Sequence, residues 1–232
     1  MIIAVVGAGG KTTLSNYIGK RLTDMGRRVL FTTTTKIFIP ADDPLYLGTA
    51  ENMRSLGPFM TAAKGFLGHG KLEGYSPKDI TSIDKLGLFD DIIVEADGAA
   101  QKPVKAPNET EPVYPSPVDL IIGVIGLDCI GQPVTDQLVH RAALFSHFTQ
   151  AAIGESVTSD HILRLISHPE GLFRRAPAYA TRVVFLNKYD TIGEKARLEV
   201  KGIIRQSPYP AVLTGYNTDW FREFRHRFLG DI

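Results

Sequence analysis

The stretch VVGAGGKTTL, residues 5–14, sets a glycine-rich turn and a Lys-Thr-Thr triplet between an apolar run and a helical pattern. Ile2–Val6 predicts a buried strand. Lys11–Met25 predicts a helix, with Leu14, Tyr17, Ile18, Leu22 and Met25 at helical spacing and Gly26 as its stop. A strand, a tight turn and a helix start bring backbone N–H groups and the positive end of a helix dipole onto one point, where an anion is held. The strict G-x-x-x-x-G-K-[ST] loop is not met, because Val5 stands five positions before Gly10. What stands instead is the shorter Gly7-x-x-Gly10-Lys11-Thr12. In that loop Gly7, Ala8, Gly9, Gly10 and Thr13 form the phosphate cradle of a nucleoside triphosphate. Lys11 reaches the β- and γ-phosphates, and Thr12 holds Mg²⁺. The plain alternative is a strand–helix turn without a ligand. Three glycines, a lysine and two threonines in this context favour phosphate.

Beyond the loop, RRVLFTTTT, DDIIVEADGAA, DLIIGVIGLD, TRVVFLNKYD and PAVLTG read as five further strands. A short helix is expected near Ala50–Leu56. Another is expected in SPKDITSIDKLG, with Ser76 as N-cap and Pro77 at its first position, and a last one in DWFREFRHRF. Apolar strands interleaved with helices predict an α/β fold of the P-loop NTPase type, a mostly parallel sheet covered by helices on both faces. Residues 1–232 read as one such domain, with a loop insertion at about 102–118 whose five prolines exclude helix and central strand.

Composition narrows the function classes. Hydrophobic residues make up 44% and charged ones 22%, as in a chain with a full core, and the net charge of +1 gives no sign of a nucleic-acid partner. The Arg174-Arg175 pair reads as a solvated turn. Cys129 is the one cysteine, so an intramolecular disulfide and a multi-cysteine zinc site are excluded; this fits a reducing cytoplasm. No signal peptide is visible at the start. The longest apolar run, Leu120–Leu127, is too short for a membrane span and is bracketed by Asp119 and Asp128.

Further motifs carry chemistry. Glu95 and Asp97, at the end of DDIIVEADG, are the carboxylates available to hold Mg²⁺ or its waters and to complete the catalytic set with Lys11, the choice between them open. Glu95-Ala96-Asp97-Gly98 also reads as E-x-x-G, a form found in G proteins that mature nickel and cobalamin enzymes; there the Gly amide lies near the γ-phosphate, which marks Gly98. Asn187-Lys188-x-Asp190 resembles the N-K-x-D motif of GTPases, in which a carboxylate accepts from guanine's ring N–H and amine. GTP is thereby modestly favoured over ATP. Thr32–Lys36, TTTTK, ends its strand on the ligand side of the sheet, where hydroxyls could touch a γ-phosphate or an acceptor. Cys129, His140 and Asp128 offer a metal site only at a spacing that matches no known ligand pattern. Arg141 is the nearest candidate for an arginine finger.

The shortened loop resembles the GTNGKTT loop of the Mur ligases. Taken in order, VVGAGGKTTL, VLFTTTTKI, IIVEADGA, KAPNETEPVYP, GLDCIGQP, VHR and FLNKYD resemble the YqeC-like family, named as accessory proteins of selenium-dependent molybdenum hydroxylases. The resemblance spans nearly the whole chain. It implies a P-loop nucleoside triphosphatase in selenium cofactor handling or hydroxylase maturation, with a molybdenum hydroxylase or a selenium-pathway protein as partner. It places phosphate at Gly7, Gly9, Gly10, Lys11, Thr12 and Thr13, and the metal side at Glu95 and Asp97. A small-molecule kinase or ligase and a nucleotide-gated binding switch are the rival readings.

Overall fold

A computed structural model describes residues 1–40, 43–215 and 219–230. In chain order the strands are β1 (Ile2–Gly7), β2 (Val29–Thr33), β3 (Lys36–Phe38), β4 (Leu45–Leu47), β5 (Phe59–Ala63), β6 (Gly65–Gly68) and β7 (Lys71–Glu73). They continue with β8 (Asp91–Glu95), β9 (Val104–Lys105), β10 (Leu120–Gly126), β11 (Val139–His140), β12 (Thr181–Asn187) and β13 (Ala211–Leu213). The helices are α1 (Lys11–Thr23), α2 (Pro77–Lys85), α3 (Ala142–Thr149), α4 (Ser159–Ser167), α5 (Glu194–Gln206) and α6 (Trp220–Phe224).

Eight strands form one sheet in the order β13-β12-β10-β1-β8-β2-β5-β4, and every pairing in it is parallel. β1 lies near its middle, and all six of its residues are buried. Side chains alternate across a strand, so Ile2, Ala4 and Val6 enter one core layer while Ile3 and Val5 enter the other. The first layer packs under α2–α5 through Ile80, Phe145, Ile162, Leu165 and Val200. The second packs under α1 and α6 through Leu14, Ile18, Leu22, Trp220 and Phe224. A parallel sheet needs both faces covered, and this one has them.

The chain departs from the sequence expectation in three places. The helix expected near residues 50–56 is a turn. Ala50 and Met53 are buried three apart and look helical, but Arg54, Ser55 and Leu56 lead straight to Gly57-Pro58 before a second turn forms. Next, β3, β7 and β6 form a separate three-stranded antiparallel sheet that sequence patterning did not reveal. Finally, the Pro-rich segment is ordered over the end of β8: Val113 N–H donates to Ala96 O at 2.8 Å, and β9 pairs with β11. Its Glu111–Pro112 and Ser116–Pro117 bonds are cis.

Candidate functional site

The loop between β1 and α1 turns through positive φ at Gly7 (90°), Gly9 (85°) and Gly10 (118°). A Cβ on Gly9 would lie 2.2 Å from the Gly126 nitrogen, so only glycine lets the loop seat against the end of β10. That seating uses up the first amides. Gly7 N–H donates to Asp97 Oδ2 (3.0 Å), Ala8 N–H to Val124 O (2.9 Å) and Gly9 N–H to Lys102 O (3.0 Å). Donors toward a ligand therefore come from Gly10 to Thr13, the first turn of α1. This helix start carries no side-chain cap. Its unpaired N–H groups and the dipole's positive end are what an anion would meet.

Lys11 is buried. Its ammonium donates to Gly7 O at 2.8 Å and sits 3.2 Å from Asp97 Oδ1. The structure separates the two acids after β8. Glu95 accepts from the Thr12 hydroxyl at 2.5 Å and lines the open cleft. Asp97 is turned inward, 2% exposed, between Lys11 and Lys105, whose Nζ lies 2.9 Å from Asp97 Oδ2. Burial pushes the Glu95 carboxyl above its ordinary value, against the pull of Lys11 and the Thr12 hydroxyl. Burial acts on Asp97 in the same sense, but Lys11 and Lys105 outweigh it and hold that carboxyl below its ordinary value.

Lys105, itself 2% exposed, was visible in the sequence only as one charge in a proline-rich loop. It also donates to Gly98 O (2.6 Å) and pairs with Glu111 (2.7 Å), which in turn pairs with Arg141 (2.9 Å). Alternating charges thus run Lys11–Asp97–Lys105–Glu111–Arg141 from the phosphate loop into the Pro-rich segment. Gly98 itself is half-buried on the cleft wall. Arg141 is tied into this chain rather than extended toward the loop.

At the end of β12, the Asn187 amide donates to Gly9 O (2.7 Å) and accepts from the Thr214 hydroxyl (2.9 Å), so it braces the loop. Lys188 adopts positive φ and pairs with Asp128 at 2.6 Å. Asp190 lies against Gly215, where a Cβ would come within 2.4 Å of its carboxylate. The threonines after β2 divide. Thr32, Thr33 and Thr34 donate their hydroxyls to Ala62 O (2.8 Å), Glu95 O (2.7 Å) and Val113 O (2.7 Å), Thr35 Oγ1 lies 3.2 Å from Thr33 Oγ1, and Thr34 and Thr35 line the cleft. Cys129 is wholly buried, and burial raises its thiol far above the usual value. Among the described residues no three His, Cys, Asp or Glu side chains gather as metal ligands. Mg²⁺ needs fewer: one or two protein oxygens plus waters and phosphate oxygens suffice, and the Thr12–Glu95 pair fits that donor set.

The cleft above the loop measures about 1210 Å³ and continues past Thr34 and Thr35 to the small sheet. Its lysines are Lys11, Lys36, Lys64, Lys71, Lys102 and Lys188.

Comparison with known proteins agrees with this architecture. A family model described as YqeC protein matches residues 3–143. The protein of Escherichia coli (strain K12) described as "Uncharacterized protein YqeC" is 34% identical over 202 residues, covering 81% of this chain and 76% of that protein. Among solved structures, a chain of the MinC:MinD cell division protein complex of Aquifex aeolicus superposes with a TM-score of 0.52. It does so over 97% of this chain and 85% of that one, at 14% identity, a likeness that speaks to fold. The fold is that of the P-loop NTPases. No helix among the described residues is long and apolar enough to cross a membrane.

Proposed function

The chain belongs to the YqeC family, and from that premise we propose that it is a Mg²⁺-dependent nucleoside triphosphatase, GTP favoured over ATP, that serves selenium cofactor handling or the maturation of a molybdenum hydroxylase. The observation that carries the reading is the uncapped first turn of α1 with Lys11, Thr12 and Glu95 around it.

In this reading the amides of Gly10, Lys11, Thr12 and Thr13 hold the β- and γ-phosphate oxygens. Gly7, Ala8 and Gly9 shape the cradle rather than donate to it. The Lys11 ammonium exchanges its bond to Gly7 O for a phosphate oxygen and neutralises charge that grows on the transferring phosphoryl group. Asp97, 3.2 Å away, keeps that ammonium placed. Thr12 and Glu95 would hold Mg²⁺, directly or through water. Bound there, the ion would supply charge neutralisation at the phosphate oxygens. Asn187 fixes the loop against β12, and the Lys188 stem and Asp190 carboxylate take the base, the carboxylate accepting guanine's ring N–H and amine. Phosphoryl transfer asks little covalent chemistry of the protein, so positioning and charge are enough.

A binding and hydrolysis panel of ATP, GTP, CTP and UTP with Mg²⁺, with and without selenium-pathway components, tests this. Triphosphate binding that depends on Lys11, with GTP ahead, is the expected result. No binding of any of the four would overturn the reading, and ATP ahead would remove its guanine part. The extent of the cleft beyond the loop favours one second reading, transfer to a small-molecule acceptor. Stoichiometric appearance of a phosphorylated or ligated product with nucleoside diphosphate would identify it.

A further inference from the structure

The cleft has two ends, on opposite sides of the phosphate loop. In the sheet, β12 lies two strands from β1 on one side, and β2 lies two strands away on the other. Each step is roughly 5 Å, so each end stands roughly 10 Å from the loop. A nucleotide with its base toward Asn187–Asp190 uses the loop and the β12 side. The other end, where β2 runs into β3 and the small sheet, is left over. A volume of about 1210 Å³ is also above the roughly 300–1,000 Å³ of ordinary small-molecule sites.

That leftover end has its own chemistry. β3 and β7 pair so that Lys36 opposes Glu73 and Phe38 opposes Lys71. Between these pairs Ile37 and Leu72 face the core, which turns the other four side chains outward. Phe38 is 53% exposed, unusual for a phenylalanine in a cleft wall, and the Lys71 ammonium stands 5.3 Å from its ring centroid. Among the described residues neither Lys36 nor Lys71 has a carboxylate within ion-pair distance. By contrast Lys64, in the same wall, is paired with Asp79 at 2.7 Å. Lys36 and Lys71 against the single carboxylate of Glu73 leave this strip with an excess of positive charge, and Phe38 carries Lys71 over its ring, which suits a planar ring that bears negative charge: the ring packs on Phe38 beside that ammonium and the anion meets Lys71 and Lys36.

We infer that the β3–β7 end of the cleft is a second ligand site, which takes a planar organic anion while the nucleotide occupies the phosphate loop. This rests on the nucleotide reading above and adds to it the class of the second ligand. The site is bordered by Thr34 and Thr35, which follow β2, so the two ligands would face each other across those residues.

The test uses the full chain saturated with a non-hydrolysable triphosphate analogue and Mg²⁺. It is titrated with the aromatic anion anilinonaphthalene sulfonate and, separately, with neutral phenylnaphthylamine, and fluorescence is read. The anion should bind at one site per chain, and the neutral ring at least about tenfold more weakly, as expected where a charged contact is lost. Phe38→Ala and Lys71→Glu, both at exposed side chains, should each weaken the anion about tenfold or more and change nucleotide affinity less than about twofold. Variants that bind the anion as the wild type does, or nucleotide that displaces it, would overturn the second site. Failure of the wild-type chain to bind nucleotide, measured first and without the fluorophore, would instead overturn the reading on which it rests.

Discussion

Replacing Asp97 by Asn tests the buried charge chain. Asp97 accepts from Gly7 N–H and stands 3.2 Å from Lys11 and 2.9 Å from Lys105, all three side chains nearly inaccessible. The amide keeps the shape and removes the charge, which leaves two buried ammonium groups without their shared counterion. Removing one partner of a buried pair costs about 3–5 kcal/mol. Two compensations place this case at the lower end: Lys105 keeps Glu111 at 2.7 Å and Gly98 O at 2.6 Å, and Lys11 keeps Gly7 O. At roughly 2–4 °C per kcal/mol for a chain of this size, about 3 kcal/mol lowers Tm by about 6–12 °C. The assay is thermal and urea unfolding without nucleotide, since ligand would mask the loss. The double variant Asp97→Asn/Lys105→Met removes one of the two stranded charges, so it should be less damaged than the sum of the singles, by about 0.5–3 kcal/mol. A single variant within about 0.5 kcal/mol of wild type, or strict additivity in the cycle, would refute the reasoning.

Other substitutions probe separate parts of the site. Lys11→Ala should lower triphosphate turnover by about 100-fold or more while circular dichroism stays native; unchanged turnover removes the site assignment. Glu95→Gln should raise Tm at pH 8 and leave it unaltered below pH about 4, the ordinary range of a carboxyl group. Its folded pKa stands above the unfolded one, so ionisation favours the unfolded chain as pH rises through that window, and the amide escapes the penalty. A lower Tm at pH 8 would contradict the burial argument. Asp190→Asn should weaken GTP and improve xanthosine triphosphate, because the amide reverses one hydrogen bond; a preference for ATP unaffected by the change discards the guanine site. Gly26→Ala and Gly9→Ala share φ near 85°, but a Cβ on Gly26 meets nothing within 4 Å. The first should cost about 1–2 kcal/mol of backbone strain and the second clearly more, read as the gap between their urea midpoints.

The phosphate loop was legible because its signal is local: strand, turn and helix start lie within about twenty residues and each has its own pattern. The same holds for the capped start of α2, where Ser76 and Asp79 bond reciprocally as the Ser-Pro signature suggests. What stayed hidden depends on partners far along the chain. The strands of the small sheet are three or four residues long, too short for alternation to register, and β3 finds β7 across more than thirty residues. The choice between Glu95 and Asp97 could not come from periodicity, because residues two apart share a face wherever a strand continues.

The two carboxylates are set apart by Lys105, a residue whose own neighbourhood in sequence says only loop. Once Val104–Lys105 pairs with Val139–His140, the ammonium is fixed over the end of β8 and draws Asp97 inward. Glu95, one step back on a buried strand, keeps the cleft and the Thr12 hydroxyl. The Pro-rich segment is therefore joined to the proposed phosphate site through charge. It can also report what the loop holds, because any shift of Lys11 toward a phosphate leaves Lys105 as the ammonium beside Asp97, whose Oδ2 keeps the Gly7 N–H. A stronger Asp97–Lys105 attraction in the nucleotide-bound chain is expected to loosen Lys105 from Glu111, and with it Arg141. Nucleotide should accordingly change the protection of the amides near residues 105–113 from hydrogen exchange, and Lys105→Met should erase that change while leaving protection in α1 intact; a response that survives Lys105→Met would mean the segment is held by its backbone bonds alone.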